Sequence, residues 1–140
     1  MTTNYVRGAS ASSADSRTEI VGLLSRHGAS GVRCISEQRR TTIVFSSGDR
    51  QFRLLLTGPA GFPDETDDSG REKAARRRWH TLALLVKAKL EAVNADIVTF
   101  EEEFLAYTVL PNGRTVFENT QQAIRRAYAT DSSEPLEARP

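Results

Sequence analysis

REKAARRRWHTLALLVKAKLEAVN, residues 71–94, holds the chain's only Trp, its longest unbroken helical pattern and its densest positive charge. Ala75, Trp79, Leu82, Val86 and Val93 recur at helical spacing, with Leu85, Leu90 and Ala92 widening the stripe. The pattern predicts a central helix from Arg71 to Asn94 that packs with one face. Leu82 to Val86 is apolar nearly all round, which predicts cover from two neighbours, the sheet and a later helix. Asn94 suits the helix end.

Upstream of this helix the period changes. GVRCISEQ, TTIVFSS and RQFRLLLT, beginning at Gly31, Thr41 and Arg50, are rich in β-branched and aromatic residues and separated by polar breaks. They predict three antiparallel strands. Ser47-Gly48-Asp49 supplies a tight turn between the second and third, because Gly reaches positive φ without a steric penalty. Phe52, Leu54 and Leu56 share one strand face and Arg53 takes the other. Gln38-Arg39-Arg40 forms an exposed basic tip on the first turn.

Ahead of the strands, Ser16-Arg17-Thr18-Glu19 has capping-box spacing, with Ile20, Leu23, Leu24 and His27 on one face and Gly28 as terminator. The helix is expected from about Arg17 to His27. Residues 58–70, GPAGFPDETDDSG, read as a long loop carrying Asp64, Glu65, Asp67 and Asp68. Beyond the central helix, Thr99-Phe100-Glu101-Glu102 opens a short helix facing inward through Phe100, Phe104 and Tyr107. Pro111-Asn112-Gly113 forces a turn, and Thr115-Val116-Phe117-Glu118 opens a last amphipathic helix carrying Phe117, Gln121, Ile124 and Tyr128, with Arg125 and Arg126 outside. The resulting class is α+β, a three-stranded antiparallel sheet with helices on one face in the order α-β-β-β-α-α-α. Residues 1–15 are expected to be a disordered leader, 16–130 one domain and 131–140 a disordered tail.

Bulk properties narrow the function classes. The chain has 140 residues, 39% of them hydrophobic, enough for one core without disulfide or metal staples. Nineteen Lys and Arg against 18 Asp and Glu give a net charge of +1, so any polyanion partner must be met by a local cluster. Cys34 has no partner for an internal disulfide and sits in a strand, which favours a reducing, cytoplasmic setting. The longest apolar run falls far short of the roughly 18 to 20 residues of a bilayer span. No secretory h-region precedes the first helix.

The local cluster is Arg71, Lys73, Arg76, Arg77 and Arg78, followed by His80, Lys87 and Lys89. Guanidinium groups grip phosphates in bidentate fashion, and Lys73, Arg77, His80 and Lys87 recur on one helical face. Arg39, Arg40 and Arg53 from the sheet extend the candidate surface. The competing reading is a solvated helix start paired with the acidic loop. Cations at a helix N-terminus oppose the macrodipole and want an anion nearby, so both readings are open at this point. Trp79 reads as core with its indole N–H satisfied rather than as a base-stacking platform. Glu101 to Glu103 read as dipole-favoured first-turn acids rather than metal ligands.

For catalysis the chain offers no GxSxG elbow, P-loop, HExxH or dinucleotide fingerprint. The α-β-β-β-α order is shared with the PD-(D/E)xK nuclease core. Here, however, Pro63-Asp64 lies in the loop, and Glu37-Gln38-Arg39 places Arg where that family uses Lys. His27, Cys34 and His80 lack metal-ligand spacing. Neither an enzyme nor a cofactor or metal site is expected.

Two resemblances accompany this reading. Residues 76–118, RRRWHTLALLVKAKLEAVNADIVTFEEEFLAYTVLPNGRTVFE, resemble a segment of uncharacterised small proteins of tailed phages and prophages. FSSGDRQFRLLL, residues 45–56, resembles the strand-turn-strand those proteins carry before it. The resemblance implies a phage or prophage origin and a bacterial host cytoplasm, and it brings no known active site. Separately, the α-β-β-β-α order with a basic final helix start is similar to the double-stranded-RNA-binding domain and to some phage annealing proteins. That likeness implies phosphate contact at Arg71, Lys73, Arg76 and Arg77. The acidic loop before the helix and the two helices after it depart from that pattern. Two partner classes follow: nucleic acid at the basic helix start, or a host protein complex bound and inhibited by a phage factor through its charged surfaces.

Overall fold

The computed structural model describes residues 12–37, 40–56 and 68–130, with the side chains of residues 56, 68, 69 and 71 excepted. Residues 1–11 of the expected leader, the expected tail, the tip residue Arg39, and Asp64, Glu65 and Asp67 of the acidic loop lie outside the described residues, whereas residues 13–15, expected within the leader, open the first helix.

Helix α1 (Ser13–Arg26) leads into β1 (Ser30–Glu37), β2 (Arg40–Ser47) and β3 (Arg50–Leu56), followed by α2 (Asp68–Asn94) and a single turn, α3 (Phe100–Glu103). A 3-10 turn (Leu105–Tyr107), a short strand β4 (Thr108–Val109) and α4 (Val116–Thr130) complete the order. The sheet is four-stranded and antiparallel, in the order β1-β2-β3-β4. The fourth strand corrects the three-stranded expectation. Its two residues pair with Gln51 and Phe52, and so short a strand leaves no alternation in the sequence to read.

The hairpin between β2 and β3 closes on Gly48, at φ 60°, with Ser47 opposite Arg50. Strand alternation sends Ile43, Phe45, Phe52 and Leu54 to one face, where they join Ile20 and Leu24 of α1 and Trp79, Leu82, Val86 and Leu90 of α2 in the core. Phe45 and Phe52 stack at 5.1 Å between ring centroids, Phe100 and Phe104 at 4.6 Å, and the two pairs meet edge to face. Each such aromatic contact contributes about 0.5–1.5 kcal/mol beyond its buried area, and together they fix the α3 turn that delivers the chain to β4.

Helix α1 starts earlier than its expected Ser16 box. Ser12 is the cap, with its Oγ accepting from the Asp15 amide at 3.1 Å, while Ser16 is buried. At the other end the His27 ring bonds the Leu23 carbonyl through Nδ1 (2.8 Å) and Asn94 Oδ1 through Nε2 (3.0 Å). Helix α2 likewise begins three residues ahead of Arg71. Its middle departs from expectation, because Leu84 is 47% exposed and Leu85 also faces outward. Two neighbours do cover the helix, the sheet and α1, but on a single face, with Trp79, Leu82, Ala83, Val86 and Leu90 as the buried seam. The later helix expected as second cover is elsewhere. Helix α4 is held at its first turn by Arg53, whose guanidinium bonds the Gly113 carbonyl (2.9 Å) and Glu118 Oε1 (3.0 Å) from the outward face of β3.

Candidate functional site

Two contacts fix how α1 and α2 lie together. Arg17 stands over the Trp79 indole at 5.4 Å, and His27 meets Asn94, so the helices run parallel, with Arg17 and Trp79 at one end. Asp68 lies eleven residues before Trp79, whereas α1 begins only four residues before Arg17. At 1.5 Å per residue the first turns of α2 overhang the start of α1 by about 10 Å.

The sheet supplies the rest of this end. Strand β1 runs antiparallel to α1, passes Arg17 at Cys34, whose thiol pKa burial raises and Arg17 partly offsets, and ends at Glu37 opposite Arg40. The Glu37–Arg40 end of the β1–β2 ladder and the start of α2 therefore lie at the same end of the molecule. Arg40, whose neighbour Thr41 points into the core, belongs to the outward row of β2 with Thr42 and Val44.

On the first turns of α2, Lys73, Arg76 and Arg77 are exposed and span roughly 100° of helix arc, with half-buried His80 and Lys87 continuing the row. None of Lys73, Arg76 and Arg77 forms an ion pair with a described carboxylate, Glu72 one turn earlier included. Described ion pairs lie elsewhere, at Arg53–Glu118 (3.0 Å) and Lys89–Glu103 (3.5 Å). Cations gathered at the positive end of a helix dipole raise the local potential and favour an external anion.

The expected set therefore divides. Lys73, Arg76, Arg77 and Arg40 come together at one end, and Lys87 lies two to three turns along the same row. Arg78 departs from the row. It sits on the opposite flank of the helix, is half-buried, and has its pKa lowered by burial. Helical spacing puts Arg71 on that same flank, its side chain outside the described residues, as is Arg39. Arg17 was not legible as a member, because its place depends on how α1 packs against α2. Lys89 spends its charge within the fold, on Glu103 and over the rings of Phe104 and Tyr107 at 5.7 and 5.2 Å. Trp79 is buried at the root of the overhang, as core.

Glu101 to Glu103 act as the α3 first turn: Glu102 returns to the Thr99 amide at 2.8 Å, a bond that holds its carboxyl below the ordinary range, and Glu103 takes Lys89. Among the described residues no group of three or more His, Cys, Asp or Glu is arranged to hold a metal ion, and no helix is long and apolar enough to cross a membrane. No protein-family profile, characterised protein or solved structure matches the chain.

Proposed function

We propose that this chain is a non-enzymatic accessory protein of a phage or prophage that contacts nucleic-acid phosphates through the first turns of α2. The observation that carries the reading is the exposed row Lys73, Arg76 and Arg77, without a described carboxylate partner, at the end where the hairpin brings Arg40. Such a surface reads backbone rather than bases: it offers point charges and guanidinium forks, while the one nearby Trp is committed to the core. Little sequence preference is expected. The phage or prophage setting rests on the resemblance of residues 45–56 and 76–118, and a bacterial cytoplasm follows from it.

The test is fluorescence anisotropy with single-stranded and duplex oligonucleotides at low salt, on the natural chain and on the triple variant K73E/R76E/R77E. Binding by the natural chain, weakened more than about 100-fold in the variant, supports the reading. No binding by the natural chain at low salt, or equal binding by both, overturns it. A protein retained from nuclease-treated host lysate, with no oligonucleotide binding, would put the inhibitor of a host complex in its place.

A further inference from the structure

Helix α4 is the most amphipathic of the three long described helices, and none of its residues is buried. It rests on the Leu105–Tyr107 turn with its small side, where Val116, Thr120 and Ala127 are half-buried. The large apolar side chains point elsewhere: Phe117 is 54% exposed, Ile124 40% and Tyr128 86%. With Gln121 they step by four, three and four residues, the spacing of a two-helix seam. Arg125 and Glu118 flank that seam on its solvent side, seven residues apart. Described hydrogen bonds hold α4 to the body only through its first turns, at Glu118 and Asn119.

We infer that the exposed stripe of α4 is a self-association surface, on which a second copy of this chain docks its own α4 antiparallel about a two-fold axis beside Gln121. Charge complementarity selects both occupant and direction. In the antiparallel pair the Glu118 flank of one copy meets Arg125 of the other, twice over, while Phe117 packs on the partner copy's seam at the level of Tyr128 and Gln121 at the level of Ile124. A parallel pair would instead set Glu118 and Arg125 against the flank of Thr120 and Ala127, which carries no charge. Glu118 is available for this. Its Oε1 accepts from the Thr115 amide and Arg53, and the side chain is 39% exposed, open to a further cation. Anchorage at the first turns places the two bodies at opposite ends of an antiparallel pair, clear of each other. The central Gln121 layer fixes the register at some cost in affinity, as a polar residue in an otherwise apolar seam does. This inference stands independently of nucleic-acid binding.

Sedimentation equilibrium of the full chain between about 1 and 200 µM tests it. The expected result is a reversible monomer–dimer equilibrium that Ile124→Asp abolishes, Arg125→Glu weakens about tenfold and Gln121→Leu tightens about tenfold. Circular dichroism on each variant checks that the fold survives, and the gain in Gln121→Leu keeps the test decisive if Ile124→Asp perturbs the helix. Direction is read by mild copper–phenanthroline oxidation in a Cys34→Ser background. A mixture of Phe117→Cys and Tyr128→Cys chains should cross-link, and neither variant should do so alone. A monomer throughout the range overturns the inference, as does a dimer indifferent to all three α4 variants. Cross-linking of Phe117→Cys to itself overturns the antiparallel arrangement, and a monomer that binds anionic phosphatidylserine vesicles through the stripe gives the surface a different occupant.

Discussion

Two threonines show how single hydroxyls are placed with opposite consequences. Thr115 is buried and caps α4: its Oγ1 accepts from the Glu118 amide at 3.2 Å, and Glu118 returns to the Thr115 amide at 2.8 Å. Thr115→Ala should cost about 1 kcal/mol, measured by urea denaturation, the usual worth of an N-cap side chain. The same bonds, first the one from the Thr115 amide and then those from its hydroxyl and Arg53, hold the Glu118 carboxyl below its ordinary value of 4.5. A depressed carboxylate stabilises the fold above its unfolded pKa. That contribution is lost as pH falls through the lower, folded value. Helicity of α4 should therefore fall on acidification below about pH 4.5, and in Glu118→Gln that pH dependence should flatten, as followed by circular dichroism. Thr41 is the opposite case, fully buried with an Oγ1 that finds no hydrogen-bond partner among the described residues. Replacing an unsatisfied buried hydroxyl by a methyl removes a desolvation penalty, so Thr41→Val should raise stability by up to about 1 kcal/mol in the same titration.

Helix α2 separates residues that look alike in sequence. Leu84 and Leu90 both belong to its apolar middle, yet Leu84 faces out while Leu90 is sealed in the core. Leu90→Ala should cost about 2–5 kcal/mol and Leu84→Ala less than about 0.5, a contrast read from denaturation midpoints. Sequence periodicity found the helix, its inward Trp79, Leu82, Val86 and Leu90, and the β2–β3 hairpin, because each is written in local spacing and turn chemistry. It gave Leu84 and Leu85 cover that they lack, since an apolar run says how many faces can be buried and not which neighbours arrive or on which face. Strand β4 left no trace, being two residues long and fixed by the phenylalanine cluster ahead of it. The Ser16 box was preempted by Ser12 and Asp15, which satisfy the same rule one turn earlier, with Ser16 left to pack inside. For the candidate site, the exposed Lys73, Arg76 and Arg77 were legible as a row. The departure of Arg78 from that row was legible in the same helical spacing, but the position of Arg17 over Trp79 was not, because it follows from the packing of α1 on α2.

At the scale of the whole molecule the topology joins charges that the chain keeps apart. The parallel pairing of α1 and α2 and the return of β1 along α1 set Arg40 at the same end as Lys73, Arg76 and Arg77. If these four meet duplex phosphates together, the logarithm of the association constant should fall with the logarithm of salt concentration at a slope of about −3.6, or about −0.9 for each phosphate neutralised. Arg40→Ala should then lower the slope by the same amount, about 0.9, as Arg76→Ala, although one residue is on a strand and the other on a helix. Lys89→Ala serves as the internal comparison. Its ammonium is engaged with Glu103 toward the far end of α2, so its removal should leave the slope unchanged while costing stability. Single strands carry less condensed charge, and the slope for a single-stranded oligonucleotide should be shallower, about −0.7 per phosphate. Anisotropy titrations of the natural chain and these three variants across a salt series between about 50 and 200 mM give all four slopes. An Arg40 variant that keeps the natural slope would confine the contact to α2 and remove the hairpin from the surface.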